Sequence, residues 1–268
     1  MTDTNFVDDL KEAKTNIYVA NEYRFWPLAE AIIIGILFCG AIFVTTFFIF
    51  HHALEAQKGE IRDGLVRTGK VLEKFIDGDL HRTFVDQSQK TSKAYQDAVK
   101  PLQKAMDSDP TIPFAYTTVL KDGKVYFVLD AIPPDDPDAV QIMEEYEDAS
   151  TELITTLKEH KVMTSKEPYT DEWGSFVSGH IPIFDSKGEF VGALSIDIDA
   201  TAYFERLEPI KRATIRAMVT GFFISYLIAA LVWFMRNFSA TINRKRIQLL
   251  GKIKVGKENI GKSLGSKS

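Results

Sequence analysis

Two uncharged apolar runs constrain this chain more than any other feature. Ala31–Phe50 reads AIIIGILFCGAIFVTTFFIF and Ala217–Met235 reads AMVTGFFISYLIAALVWFM, 20 and 19 residues without a charge. A helix rises about 1.5 Å per residue and a bilayer core is about 30 Å thick, so each run is long enough to cross. Tyr23 and Trp26 precede the first run, and Tyr226 and Trp233 lie within the second. Such rings anchor at the headgroup level. A helix in a soluble core seldom stays uncharged for so long. The first run follows an acidic stretch with Asp3, Asp8, Asp9 and Glu12, and no clean small-residue cleavage site comes after it. It reads as an uncleaved signal anchor rather than a signal peptide.

Charge orients the spans. Residues 1–50 carry 3 Lys+Arg and 6 Asp+Glu, residues 51–235 carry 20 and 30, and residues 236–268 carry 9 and 1. The basic block starts directly after the second run, with Arg236, Arg244, Lys245 and Arg246, which places the C-terminus in the cytoplasm. Two spans return the N-terminus to the same side, where the positives are Lys11, Lys14 and Arg24. The expected organisation is a cytoplasmic segment 1–26, a span 27–50, an exterior domain 51–212, a span 213–235 and a basic cytoplasmic tail 236–268. The overall net charge of −5 argues against nucleic acid as a partner. The single cysteine, Cys39, lies in the first span, which leaves the exterior domain without a thiol, as suits an oxidising compartment.

The exterior domain is read as helical over 51–108 and sheet-bearing over 113–200. Leu54, Ile61, Leu65, Leu72 and Phe75 recur at heptad-like spacing. They fit either a seam between two copies of the chain or a helix packed on its own domain, and Lys58 and Thr68 interrupt the seam. FAYTTVL (114–120) and VYFVLD (125–130) are strand-like and joined through Asp122-Gly123, a strong hairpin signal. A helix is expected from about Ala139 to Glu159. FVSGHIPIF (176–184) and FVGALSIDID (190–199) form a second strand pair across Asp185–Glu189.

The order of these elements, together with Ala115-Tyr116-Thr117, Lys124–Asp130, Glu167–Gly174, Gly179-His180-Ile181-Pro182-Ile183 and Gly188–Ala200, resembles the single Cache/PDC sensor domains, PAS-like extracytoplasmic modules of bacterial membrane receptors. The similarity covers roughly 51–212. It implies an α+β fold, a PAS-like antiparallel sheet with a long N-terminal helix. It also implies a location in the bacterial inner membrane with the domain outside, and a small-molecule ligand whose binding is signalled through the second span.

Residue chemistry suggests where a ligand would sit. Alternate strand residues face opposite sides, so Leu194, Ile196 and Ile198 face one way and Ser195, Asp197 and Asp199 the other. Buried carboxylates need a partner, and an amine-bearing ligand, a metal or a nearby cation would serve. Ser178 and His180 share a face of the neighbouring strand. Tyr116, Tyr126 and Asp130 supply a similar face from the first pair, and Tyr169 and Trp173 could close over it. Carboxylates among aromatics make an amine site. Against this, Tyr116, Tyr126 and Trp173 are more often core, His180 is more often a structural or surface histidine than a ligand, and Asp199 reads equally as a helix N-cap.

No catalytic or cofactor signature is found. The five histidines have no metal-binding spacing, Asp130, Asp135, Asp136 and Asp138 lack the order of a calcium loop, and no P-loop, dinucleotide or nucleophile-elbow motif occurs. A non-enzymatic sensor without cofactor is expected. The 33 residues after the second span hold no kinase, cyclase or chemotaxis module, so a separate partner of that kind is expected, or a truncated receptor. The Gly/Lys/Ser-rich end of the tail is read as flexible. Its cations suit anionic lipid, at about 1 kcal/mol each near the surface. The competing reading is a membrane-anchored adaptor that binds another protein, which a filled, dry pocket would favour.

Overall fold

The computed structural model describes residues 3–265, with side chains for 26–246, 248 and 249. The side chains of Lys11, Lys14 and Arg24, and those of the tail beyond 249, lie outside that range. Among the described residues the α-helices are α1 (Asp3–Glu73), α2 (Gly78–His81), α3 (Lys93–Ser108), α4 (Thr151–Glu159) and α5 (Ala200–Gly265), with a short 3-10 helix at Gln87–Thr91. Six strands are β1 (Phe114–Lys121), β2 (Lys124–Asp130), β3 (Met163–Thr164), β4 (Tyr169–Asp171), β5 (Gly174–Phe184) and β6 (Phe190–Asp199). The chain divides into two compact units, Met1–Phe50 with Ala213–Ser268, and His51–Arg212.

In the first unit α1 and α5 pack antiparallel. Glu30 accepts two hydrogen bonds from Arg236, at 2.6 and 2.9 Å. Gly35 lies against Ala229, whose Cβ would be 2.9 Å from a Cβ added to that glycine, and a side chain at Gly221 would collide with Ile42. Ser225, buried in this seam, donates to the Gly221 carbonyl at 2.9 Å. The remaining apolar surface stays bare: Leu37 is 67% exposed and Leu227 63%. Both helices are long and apolar enough to cross a membrane. The tail end, read as flexible, continues as helix to Gly265.

The second unit is an α+β domain around one antiparallel sheet, ordered β2-β1-β6-β5-β3, with β4 also paired to β5. The Asp122-Gly123 corner has φ of 52° and 81°, the left-handed pair that a two-residue hairpin needs. The β5–β6 corner is held by Asp185, whose carboxylate accepts from the Lys187 and Glu189 amides at 2.9 and 2.8 Å. One sheet face carries Val177, Ile181, Leu194, Ile196 and Ile198, all buried against Ile61, Leu65 and Leu72 of α1. Close approach is possible because Gly69 faces Ile181 and Gly179 faces Leu65, and a Cβ on Gly69 would overlap Ile181.

One open alternative is decided here and one expectation changes. Ile61, Leu65 and Leu72 of the heptad-like stripe are buried on the domain's own sheet, and Phe75 is 67% exposed. The stripe therefore answers to intradomain packing rather than to a seam between copies. Lys58 is tolerated on it because its ammonium meets Glu167 at 2.6 Å. The helix expected from Ala139 is confined to α4, capped by Ser150, whose hydroxyl accepts from the Leu153 amide. Residues 139–149 instead run beside β2. The Met143 and Tyr146 amides donate to the Phe127 and Val125 carbonyls, and the Phe127 amide donates to Glu144. An edge strand with free backbone groups outcompetes a helix of modest propensity.

Candidate functional site

The face of the sheet opposite α1 is polar at its centre because of strand register. In β6, Asp197 lies opposite Ser178 of β5 and Phe114 of β1, and the next pair along, Ser195, lies opposite His180 and Tyr116. Pleating turns all six side chains to the same side. Aromatic residues wall this face. The rings of Phe127 and Tyr146 stack at 4.8 Å, Trp173 meets them edge-on at 5.7 and 5.5 Å, and Tyr116 meets Phe127 at 5.3 Å. Between the walls lies a cavity of about 20 Å³, or some 330 Å³ with its open mouth included. Asp197, Tyr116 and Phe114 form its base, Asp171 and Phe176 a side, and Val140 and Asp138 part of the rim.

Asp197 is the central group. It is 2% exposed, and its Oδ1 has no hydrogen-bond partner among the described residues. Burial pushes its carboxyl up to about 7; the Ser178 hydroxyl offsets part of the rise, the Asp171 charge adds to it, and the neighbouring Tyr116 hydroxyl offsets a little more. The Tyr116 hydroxyl is also buried and unpartnered among the described residues. Burial, with the nearby Asp197 charge, drives that phenol well above its ordinary range. Tyr169 and Ser178 share a hydrogen bond of 2.9 Å. Tyr146 donates to Asp171 at 2.7 Å. The other oxygen of Asp171 accepts from the Trp173 and Gly174 amides at 3.0 and 3.2 Å, which shapes the β4–β5 turn and sets Trp173 against the cavity.

The residues expected at this site divide. Tyr116, Asp130, Trp173 and Asp197 line the cavity, with Tyr169 and Ser178 bonded to each other behind it. Asp130 holds a loop as well: it accepts from the Ile132 and Val140 amides, both at 3.0 Å, and the buried Lys90 ammonium is 3.8 Å away. Tyr126 lies outside, paired with Val119 and bridged to Glu145. Asp199 also lies outside, accepting from the Thr201 and Ala202 amides as the cap of α5. His180 is fully buried behind the cavity, bonded to Ser195 at 2.9 Å and Ser150 at 3.2 Å, and burial pushes it down to about 3. A base of that strength takes no proton at neutral pH, so these Ser–His contacts do not make a nucleophile.

Phe114, Phe127, Asp138, Val140, Tyr146, Asp171 and Phe176 line the cavity without having been expected there. Phe114 was findable, since it alternates with Tyr116. Asp171 sat inside a quoted motif as an apparent loop residue. Tyr146 was hidden by a helical reading of its segment.

No protein-family profile matches this chain, and no curated protein does. Solved structures do. The chain is similar to bacterial sensory domains. The ligand-binding domain of Campylobacter jejuni chemoreceptor Tlp3, in complex with L-valine, is 17% identical with a TM-score of 0.41, over 64% of this chain and 66% of that one. The E. coli DcuS sensor domain is 10% identical at 0.41, over 57% and 98%. The ligand-binding domain of the Pseudomonas aeruginosa PAO1 amino acid chemoreceptor PctC, in complex with GABA, is 11% identical at 0.39, over 61% and 67%. The matches are to Cache/PDC-type sensory domains at low identity, and this chain spans just under two thirds of the Tlp3 domain.

Proposed function

We propose that this chain is a membrane-anchored extracytoplasmic sensor. Its domain at 51–212 takes a small molecule into the cavity beside Asp197, and the second span carries the response to a cytoplasmic partner. One observation carries the reading. Asp197 Oδ1 and the Tyr116 hydroxyl are both buried without a partner and belong to one cavity. Buried polar groups are almost always satisfied, and an orphan pair beside a cavity is what a ligand would complete.

The membrane reading rests on bare apolar surface. None of the most apolar window of α1 is buried and only 11% of that of α5. A core helix of a soluble protein would be covered, whereas hydrocarbon solvates such a surface. Residues 213–235 and 27–50 are the spans in this reading, and the basic stretch from Arg236 holds the C-terminus in the cytoplasm. Signalling requires a ligand that binds two packings of α5 against α1 unequally.

The adaptor reading expects a filled, dry pocket. The cavity is small, but its base is a carboxylate with an unused oxygen, which favours a ligand. The test is a thermal-shift screen of the full chain in nanodiscs against amines, amino acids, carboxylates and sugars. A shift that Asp197→Ala abolishes supports the sensor reading. Silence across the whole panel refutes it.

A further inference from the structure

The charge balance of the cavity narrows the ligand class. This step rests on the sensor reading above. Four carboxylates line the cavity, Asp130, Asp138, Asp171 and Asp197, and among the described residues its lining holds no Lys, Arg or His. Lys90, the cation beside Asp130, is buried and committed: its ammonium donates to the Val140 carbonyl and faces Asp130. A ligand carboxylate would find no free counter-charge in this lining and would face carboxyl groups on several sides. The orphan atoms at the base are a carboxylate oxygen and a phenol oxygen, both able to accept from an N–H. Phe127, Tyr146 and Trp173 supply ring faces and edges around the same space, a setting that favours an organic cation. A metal ion is a poorer fit, because no three ligating side chains among the described residues are grouped to hold one.

We infer that the site selects a small primary amine that bears no carboxylate, its ammonium donating to Asp197 and Tyr116, and that it rejects the corresponding α-amino acid. The enclosed part of the cavity, about 20 Å³, has room for little more than an ammonium group, so the carbon chain of the amine would lie in the open mouth.

Matched pairs test this directly. Isobutylamine against L-valine, and 2-phenylethylamine against L-phenylalanine, differ by the carboxylate alone. Calorimetric titration of the full chain in nanodiscs is expected to give binding by at least one amine, with its amino acid at least about 100-fold weaker, since like-charge contact is costly in a buried site. Asp197→Asn, which keeps shape and removes charge, is expected to weaken the amine at least about 30-fold, with a melting curve verifying that the variant is folded. An amino acid that binds as tightly as its amine overturns the inference and leaves the sensor reading intact. So does binding of succinate or glucose with none of the amines. An unchanged amine affinity in Asp197→Asn also overturns it. No binding by any of these probes overturns the inference, while the sensor reading is decided by the wider screen described above.

Discussion

Asp197 and His180 sit two strand positions apart in depth and respond to pH in opposite senses. Asp197 has a native value of about 7 against an ordinary 3.8, so the folded chain holds a proton that the unfolded chain releases between those values. Its contribution to stability is complete below 3.8 and is lost as pH rises through 7. His180 has a native value of about 3 against 6.5, so its contribution is complete above 6.5 and is lost as pH falls through 3. Asp197→Asn removes the first penalty. Its melting temperature is expected to exceed that of the parent near pH 8, by up to about 4 kcal/mol in stability, and to match it near pH 4. Equal gains at both pH values would show that the charge of Asp197 is not the cause. The variant expected to bind worst is thus expected to be the more stable, a trade of stability against function at one atom pair.

At the level of elements, β6 was legible and the strap beside β2 was not. The alternation of Leu194, Ile196 and Ile198 with Ser195 and Asp197 is local, and local patterning fixed which side chains share a face. The placement of Tyr146 depends on the backbone edge of β2, some twenty residues earlier in the chain. Nothing in its own segment announces that partner, and Ile142, Met143 and Tyr146 fit a helix face as well as a strap. Tyr126 failed for a related reason: a register shift in the β1–β2 pair between Tyr116 and Thr118 breaks simple alternation. Two substitutions test the element packing. Gly69→Val drives a side chain into Ile181 and is expected to cost about 1–3 kcal/mol, read as a lower denaturation midpoint. Ser150→Ala removes the α4 cap and one partner of His180, and is expected to cost about 1–2 kcal/mol.

For the whole molecule, the two apolar runs and the charge split are legible in the sequence because length and charge are local properties, and the spans proposed from them follow from what a bilayer would require. The ligand class was less so, since it depends on which carboxylates meet around one cavity. The topology makes a direct prediction. In a Cys39→Ser background, Ser186→Cys is expected to react with an impermeant maleimide added to intact cells, and Lys252→Cys only after lysis. The reverse pattern, or labelling of both without lysis, would refute the assigned orientation.

Asp197 and the α5 cap Asp199 are separated by one residue, Ile198, on the same strand. The group that would feel a ligand and the first turn of the long C-terminal helix are therefore joined by main chain, with no relay of side chains between them. The cavity walls come from elsewhere, from the strap bearing Tyr146 and the turn bearing Trp173. In the proposed sensor, such a division would let the walls change to suit another ligand while the connection to α5 stays as it is.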